Sequence, residues 1–288
     1  MTLNIYADRM SQPSRAIIIF CKANGIEFEE NKVEIFKREH KKPEYLEINP
    51  MGQVPSIAHG EFKLFESHAI LSYLACAFPG VADNWYPADL RKRAKINSVL
   101  DWHHSNLRRG AGGVNSNFCI YIPVFTSYDK HHAVLNNVSL GMSCKSALAC
   151  TTYVLHTVLA PFLGLPQNPI EAAEAEKLFT SSLLKLESIW LKGEGNFLLG
   201  GSRPSIADIS LVCEIMEFEL LDENDCKRLL SPHKKVLQWI EDTRIATSPH
   251  FDEVHAVLFK AKARFSKQST GANNEAGSSI KAMLSSTL

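Results

Sequence analysis

Apolar and polar residues alternate over Leu3 to Ala7, the two-residue period of a half-buried strand. A loop, Met10-Ser11-Gln12-Pro13-Ser14, leads into a helix over Ser14 to Ala23, with Pro13 suited to a first helical turn. Ile26 to Val33 predicts a second strand. The chain therefore opens strand, helix, strand, a unit that holds ligands at the carboxyl ends of its strands, where Ser11 falls. After a basic loop from Lys37 to Lys42 and a helix around Pro43 to Ile48, the stretch Gln53 to Leu74 holds two short strands and a helix start. His59-Gly60 is the turn and Phe62 to Phe65 the second strand. Behind a start at Ser67, residues Ala69, Ile70, Leu71, Tyr73 and Leu74 recur at helical spacing.

Strand-helix-strand followed by strand-strand-helix is a thioredoxin-like α/β topology, here over residues 1–80. Between Phe78 and Ala88 the composition turns to Pro, Gly, Asp, Asn and aromatic residues, which places a linker at 81–89. From Leu90 onward the pattern is helical: Leu90 to Leu107, Asn168 to Trp190, Ser205 to Leu221, Val236 to Thr243 and Phe251 to Phe265 make an all-α second domain over 90–265. Ser205-x-x-Asp208 opens one of these helices as a capping box, a fold-specifying device without a catalytic role. Val114 to Thr152 breaks the period, with Pro123 amid Ile120 to Phe125 and three of the seven cysteines; segments of this length without structure of their own are functional or disordered. The tail 266–288, rich in Ser, Gly, Asn and Ala, is expected to be mobile.

Composition narrows the function classes. Thirty-one basic and 31 acidic residues cancel, so neither nucleic acid nor a membrane surface is an expected partner. No apolar run is long enough to span a bilayer, and the chain enters a strand pattern directly, so a cytoplasmic protein without a signal peptide is expected. The cysteines form no C-x-x-C pair and no finger spacing, and read as reduced thiols. His103-His104 and His131-His132 point in different directions on a helix, so no metal site is expected.

Two features suit a ligand with a peptide backbone and a carboxylate. An X-Pro bond at the mouth of a strand can be cis and leave the Val54 N–H and C=O to pair with an extended peptide. A helix starting at Ser67 offers free N–H groups, a hydroxyl and a positive dipole end to an anion. The plainer readings are a turn at Pro55 and a cap at Ser67. Val54-Pro55 followed by Glu66-Ser67-His68-Ala69-Ile70, with Ser11-Gln12-Pro13-Ser14-Arg15-Ala16 upstream, resembles the theta class of glutathione transferases, plant type. The resemblance covers most of residues 1 to 265, and joining Gly113 directly to Tyr153 restores its uninterrupted pattern, so 114–152 reads as an insertion, from a translated intron or a faulty gene model in preference to a surface loop.

The resemblance implies a homodimer that joins reduced glutathione to small electrophiles or reduces organic hydroperoxides with it; glutathione is a cosubstrate and no cofactor is implied. Only the thiolate is a strong nucleophile, and an unperturbed thiol titrates near about 8.5. A hydroxyl donating one hydrogen bond at a helix N-terminus stabilises the thiolate, the part the resemblance gives to Ser11, with Gln12 beside it; the alternative is a plain cap, though Ser14 is also available for capping. Glu66 and Ser67 would hold the γ-glutamyl end, Val54 the cysteinyl backbone, and Gln53, His40 and Lys41 the glycyl carboxylate, with a solvated loop as the other reading for His40 and Lys41. Arg108 or Arg109 ends the Trp102 helix, where theta enzymes carry an arginine that reaches the thiolate or a leaving group; Arg108 fits the helical spacing better. Two other readings stand beside the transferase. One is a non-catalytic glutathione-binding or ligand-carrying protein whose acceptor site the insertion disrupts. The other is a thiol transferase acting through cysteine, which requires a cysteine where Ser11 stands. The ending Ser286-Thr287-Leu288 lacks the basic residue of a peroxisomal address, and peroxisome or nucleus are the alternative locations.

Overall fold

A computed structural model describes residues 2–108, 150–163 and 166–265. Arg109, residues 114–149 of the inferred insertion, His131-His132 and the tail 266–288 lie outside the described residues. Cys150 to Thr152, counted above with the insertion, are helical and open the helix Cys150–Val154.

The strands β1 (Leu3–Ala7), β2 (Glu29–Lys32), β3 (Ser56–His59) and β4 (Phe62–Phe65) form one sheet in the order β2-β1-β3-β4. β1 runs parallel to β2 and antiparallel to β3, and β3 antiparallel to β4. β2 is shorter than the strand predicted over Ile26 to Val33, because the Ile26 N–H closes onto the Cys21 carbonyl at 2.9 Å, a helix-end bond. Between β1 and β2 lies α1 (Gln12–Ala23), and Pro13 to Cys21 are buried throughout. A helix apolar all round needs cover on all sides. α1 has it, packing against α3 (Ser67–Ala77) and α8 (Ile206–Ile215). The short α2 (Pro43–Leu46) lies between β2 and β3.

The helical part contains α4 (Leu90–Trp102), α5 (Cys150–Val154), α6 (Ala160–Leu163), α7 (Pro169–Lys185), α8, α9 (Glu223–Leu230), α10 (Lys234–Ala246) and α11 over 250–265. α9 is an element that the sequence pattern did not predict. The long periodic runs at 90–107 and 168–190 are single helices whose last turns widen to π geometry, at His103–Leu107 and Leu186–Trp190. Asp89 caps α4 by accepting from the Arg91 and Lys92 N–H groups. The linker is tied down from both sides, with Trp85 edge-on to Phe20 at 5.2 Å and its carbonyl accepting from Ile206 N at 2.9 Å.

All ten residues of α8 are buried, Asp208, Ser210 and Glu214 among them. Ser205 and Asp208 form the capping box that the sequence predicted. The Asp208 carboxylate also accepts from Leu198 N at 2.8 Å and Trp239 Nε1 at 2.8 Å, fastening α10 and the loop before α8 to one buried anion. Asp208→Ala strands several buried donors, each worth about 1–3 kcal/mol. The variant is expected to lose about 3 kcal/mol or more, read as a lower denaturant midpoint with an unchanged slope.

Candidate functional site

The register brings the predicted residues to one end of the sheet. Tyr6 of β1 lies opposite Ser56 of β3, and Ser56 opposite Phe65 of β4. The carboxyl end of β1, the amino end of β3 and the carboxyl end of β4 therefore lie side by side. They carry Ser11-Gln12, Gln53-Val54 and Glu66-Ser67 respectively. β2 is parallel to β1, so the turns that hold His40 and Lys41 leave from the same end.

Ser11 occupies the N-cap position of α1, yet its side chain makes no capping bond, and its hydroxyl has no hydrogen bond among the described residues. Ser14, which the sequence leaves available for capping, does not cap: it lies inside the helix, fully buried, with an unpartnered Oγ. Gln12 is the first residue of α1 and half-buried. The loop before Ser11 is held from three directions. Asp8 accepts from Met10 N and Ile35 N, both at 3.0 Å; Arg9 forms a two-bond pair with Glu30 at 2.8 and 2.7 Å; and the Ser11 N–H bonds the Asp8 carbonyl at 2.9 Å. Arg15, fully buried one turn into α1, donates to the Arg9 and Met10 carbonyls at 3.0 and 2.9 Å and to Cys213 O and Glu217 Oε2 at 3.1 and 2.9 Å. Asp8, Arg9 and Arg15 escaped the sequence reading. The Asp8-x-Met10 spacing of an Asx turn was the one available signal.

The Val54–Pro55 bond is cis, and neither the N–H nor the C=O of half-buried Val54 is hydrogen-bonded among the described residues. Gln53 is exposed and its carbonyl accepts from Tyr45 Oη at 2.5 Å and Asn49 Nδ2 at 2.7 Å. Gly52 has φ +57°, and a Cβ there would lie 2.9 Å from the His40 carbonyl and 3.0 Å from Lys41 Nζ, so the two loops are in contact. His40 is not solvated: it is 4% exposed with an unpartnered Nδ1, and burial, helped by Lys41 and Arg38, lowers its proton affinity.

The helix starts at Ser67, as the sequence predicts. Glu66 holds the N-cap position and Ser67 is the first helical residue, because Glu66 takes φ 71°, ψ 109°, outside the helical basin. A non-glycine residue there carries strain of about 1–3 kcal/mol. Glu66 is exposed and caps nothing, and no described bond engages the N–H groups of Ser67 or His68, or the buried Ser67 hydroxyl. An unspent helix N-terminus of this kind attracts a carboxylate.

Arg108 follows the π turn, its N–H 2.7 Å from the His103 carbonyl. It is half-buried, and its positive charge bears on His68, His103 and Glu214. It does not line the cavity of about 520 Å³ that opens beside the Ser11 loop. That cavity is walled by Asp8, Met10, Lys32, Glu34 and Phe36 from the sheet domain, and by Leu159, Phe162, Val257, Lys260, Ala261, Arg264 and Phe265 from the helices. Phe162 and Phe265 meet at 4.4 Å between ring centroids, bringing α6 to the end of α11. An apolar wall with a few charged groups suits an uncharged or amphipathic small molecule. Among the described residues no cluster of three His, Cys, Asp or Glu side chains is arranged for a metal ion.

Residues 1–76 match the family model described as Glutathione S-transferase, N-terminal domain. Over 268 residues the chain is 55% identical to Glutathione S-transferase T1 of Arabidopsis thaliana, covering 93% of this chain and 94% of that protein. It is 56% identical over the same share of its length to the longer T2 protein of that plant, of which the match spans 39%. Human glutathione S-transferase theta-1 is 31% identical over 91% of each chain. Human glutathione transferase theta-2, solved in complex with glutathione and an unknown ligand, superposes with a TM-score of 0.72 at 27% identity, over 92% of this chain and 91% of that one. With a free serine hydroxyl, an unpaired backbone edge and an open helix N-terminus gathered at one sheet end, and relatives of this closeness over nearly its whole length, the chain belongs to the theta class of the glutathione S-transferases.

Proposed function

We propose that the chain conjugates reduced glutathione to small electrophiles and reduces organic hydroperoxides with it, Ser11 stabilising the thiolate. The observation that carries this reading is the convergence of three uncommitted hydrogen-bonding groups: the Ser11 hydroxyl, the Val54 backbone and the α3 N-terminus. Their order matches the ligand. The Val54 N–H and C=O would pair with the cysteinyl unit as an added strand. The first N–H groups of α3 and the Ser67 hydroxyl would take the γ-glutamyl carboxylate, and the Glu66 carboxylate its ammonium. Lys41 and His40, with Gln12 and Gln53 at the margins, would meet the glycyl end. Arg108, through its charge, would favour the anionic end of glutathione, and the cavity beside Met10 would hold the acceptor. Glutathione serves as cosubstrate, with no cofactor in the scheme.

A homodimer through both domains is supported by exposed apolar side chains on each, Met51 and Phe62 at 57% and 46% and Leu90 at 76%. A cytoplasmic location is in keeping with Cys21, Cys76, Cys213 and Cys226 being free thiols among the described residues. The transferase reading is preferred to a ligand carrier because the relatives that match nearly the whole chain are named glutathione S-transferases.

Ser11→Ala is expected to lower kcat/KM by about 10²-fold, the worth of one preorganised donor to a developing or bound anion. It should also move the rate-against-pH inflection upward, toward the unperturbed thiol near about 8.5, since the lost hydrogen bond favoured the thiolate. Unchanged kcat/KM and pH profile would exclude Ser11 from the chemistry. Glu66→Gly is expected to raise stability by about 1 kcal/mol by relieving the Cβ at positive φ, while the KM for glutathione rises. Thermal melts and initial rates on one preparation check both halves.

A further inference from the structure

His68 is the second residue of α3, in the turn whose N–H groups meet the γ-glutamyl carboxylate in the reading above, on which this inference rests. Its Nε2 lies 3.2 Å from His103 Nδ1 across the boundary between the sheet and helical parts. His103 Nε2 lies 3.4 Å from Glu214 Oε2 and forms no aligned hydrogen bond. His103 and Glu214 are each 1% exposed, whereas His68 keeps partial exposure. The row of imidazole, imidazole and carboxylate thus has one end toward the surface and one deep end. Burying two titratable groups against a third is costly, and the chemistry proposed for Ser11 uses none of them.

Their surroundings define which protonation states are accessible. Burial opposes a charge on either imidazole and pushes His68 down to about 2; His104 and Arg108 add to this for both. Burial favours the neutral form of Glu214, while Arg108, Arg15 and His104 pull it back toward the carboxylate. Glu217, one turn on, is itself paired with Arg15 at 2.9 Å. A neutral imidazole carries one N–H, which leaves two arrangements of the row. In one, Glu214 is ionised and both imidazoles carry their proton on Nε2. In the other, a proton has entered at His68 Nδ1, the His68 Nε2 proton has passed to His103 Nδ1, and the His103 Nε2 proton has passed to Glu214 Oε2. One proton is added, no imidazolium persists, and Glu214 ends neutral.

We propose that His68, His103 and Glu214 form a proton relay that loads one proton when the γ-glutamyl carboxylate docks at the start of α3. The incoming anion offsets the field of Arg108, one of the three charges that favour the Glu214 carboxylate, so docking shifts the row toward its loaded arrangement. By linkage, glutathione affinity then falls as pH rises through the loading transition.

Titration calorimetry of the full chain with S-methylglutathione, which has no thiol proton to release, in two buffers of different ionisation enthalpy reads the protons exchanged per ligand. Between about pH 5.5 and about pH 8, the range in which perturbed histidines and carboxyls titrate, the wild-type protein is expected to take up protons on binding. His103→Gln, whose amide spans the same gap without carrying a proton, and Glu214→Gln should both lose that uptake. His59→Asn, at the opposite end of β3 from the site, should keep it. No uptake in the wild-type protein, equal uptake in the His103 and Glu214 variants, or its loss in His59→Asn would each overturn the relay. If the wild-type protein fails to bind S-methylglutathione, the glutathione site itself is refuted and the relay with it.

Discussion

The guanidinium of Arg15 holds the candidate site together. It is buried with no exposure, and its donors divide between the carbonyls of Arg9 and Met10 on one side and Cys213 and Glu217 on the other. The loop that presents Ser11 is thereby fixed against a helix of the other domain. An ion pair this deep adds little net stability, because desolvation cancels much of its attraction, but removing one partner leaves a buried charge at a cost of about 3–5 kcal/mol. Its value is geometric. A thiolate donor must be placed to a fraction of an ångström, and carbonyls held by a planar fork cannot drift.

α8 extends that logic to the opposite side of the site. Glu217, just beyond its last turn, takes Arg15, and Glu214, three residues earlier, faces His103, which in turn meets His68 at the start of α3. Both ends of the proposed glutathione site, the Ser11 loop and the α3 N-terminus, thus refer to neighbouring positions on one buried helix. That helix is anchored at its own start by Asp208. The strained φ of Glu66 stands where this scaffold would meet the proposed ligand.

Elements whose identity rests on local period were legible from the residues alone. The strands at Leu3 to Ala7 and Phe62 to Phe65, the capping box at Ser205 and the long helices from Leu90 and Asn168 appear where the pattern put them. Boundaries set by competing hydrogen bonds were not. Ile26 reads as strand but closes a helix, and β2 begins only at Glu29. α9 is short and polar, with only Leu229 and Leu230 buried, so it carries little apolar period to detect.

The sequence by itself determined the two-part architecture, the spacing that brings Ser11, Val54 and Ser67 to one sheet end, and the family resemblance those motifs carry. Each of these is read from local periods and short motifs, one loop or element at a time. Only the tertiary structure decided that Ser11 keeps a free hydroxyl while Ser14 is buried, that His40 is enclosed, and that Arg15 and His103 turn inward. The physical reason is separation along the chain. Arg15 finds its partners 198 and 202 residues away, and a charge changes from solvated surface to site-organising group according to whether folding brings such a partner to it.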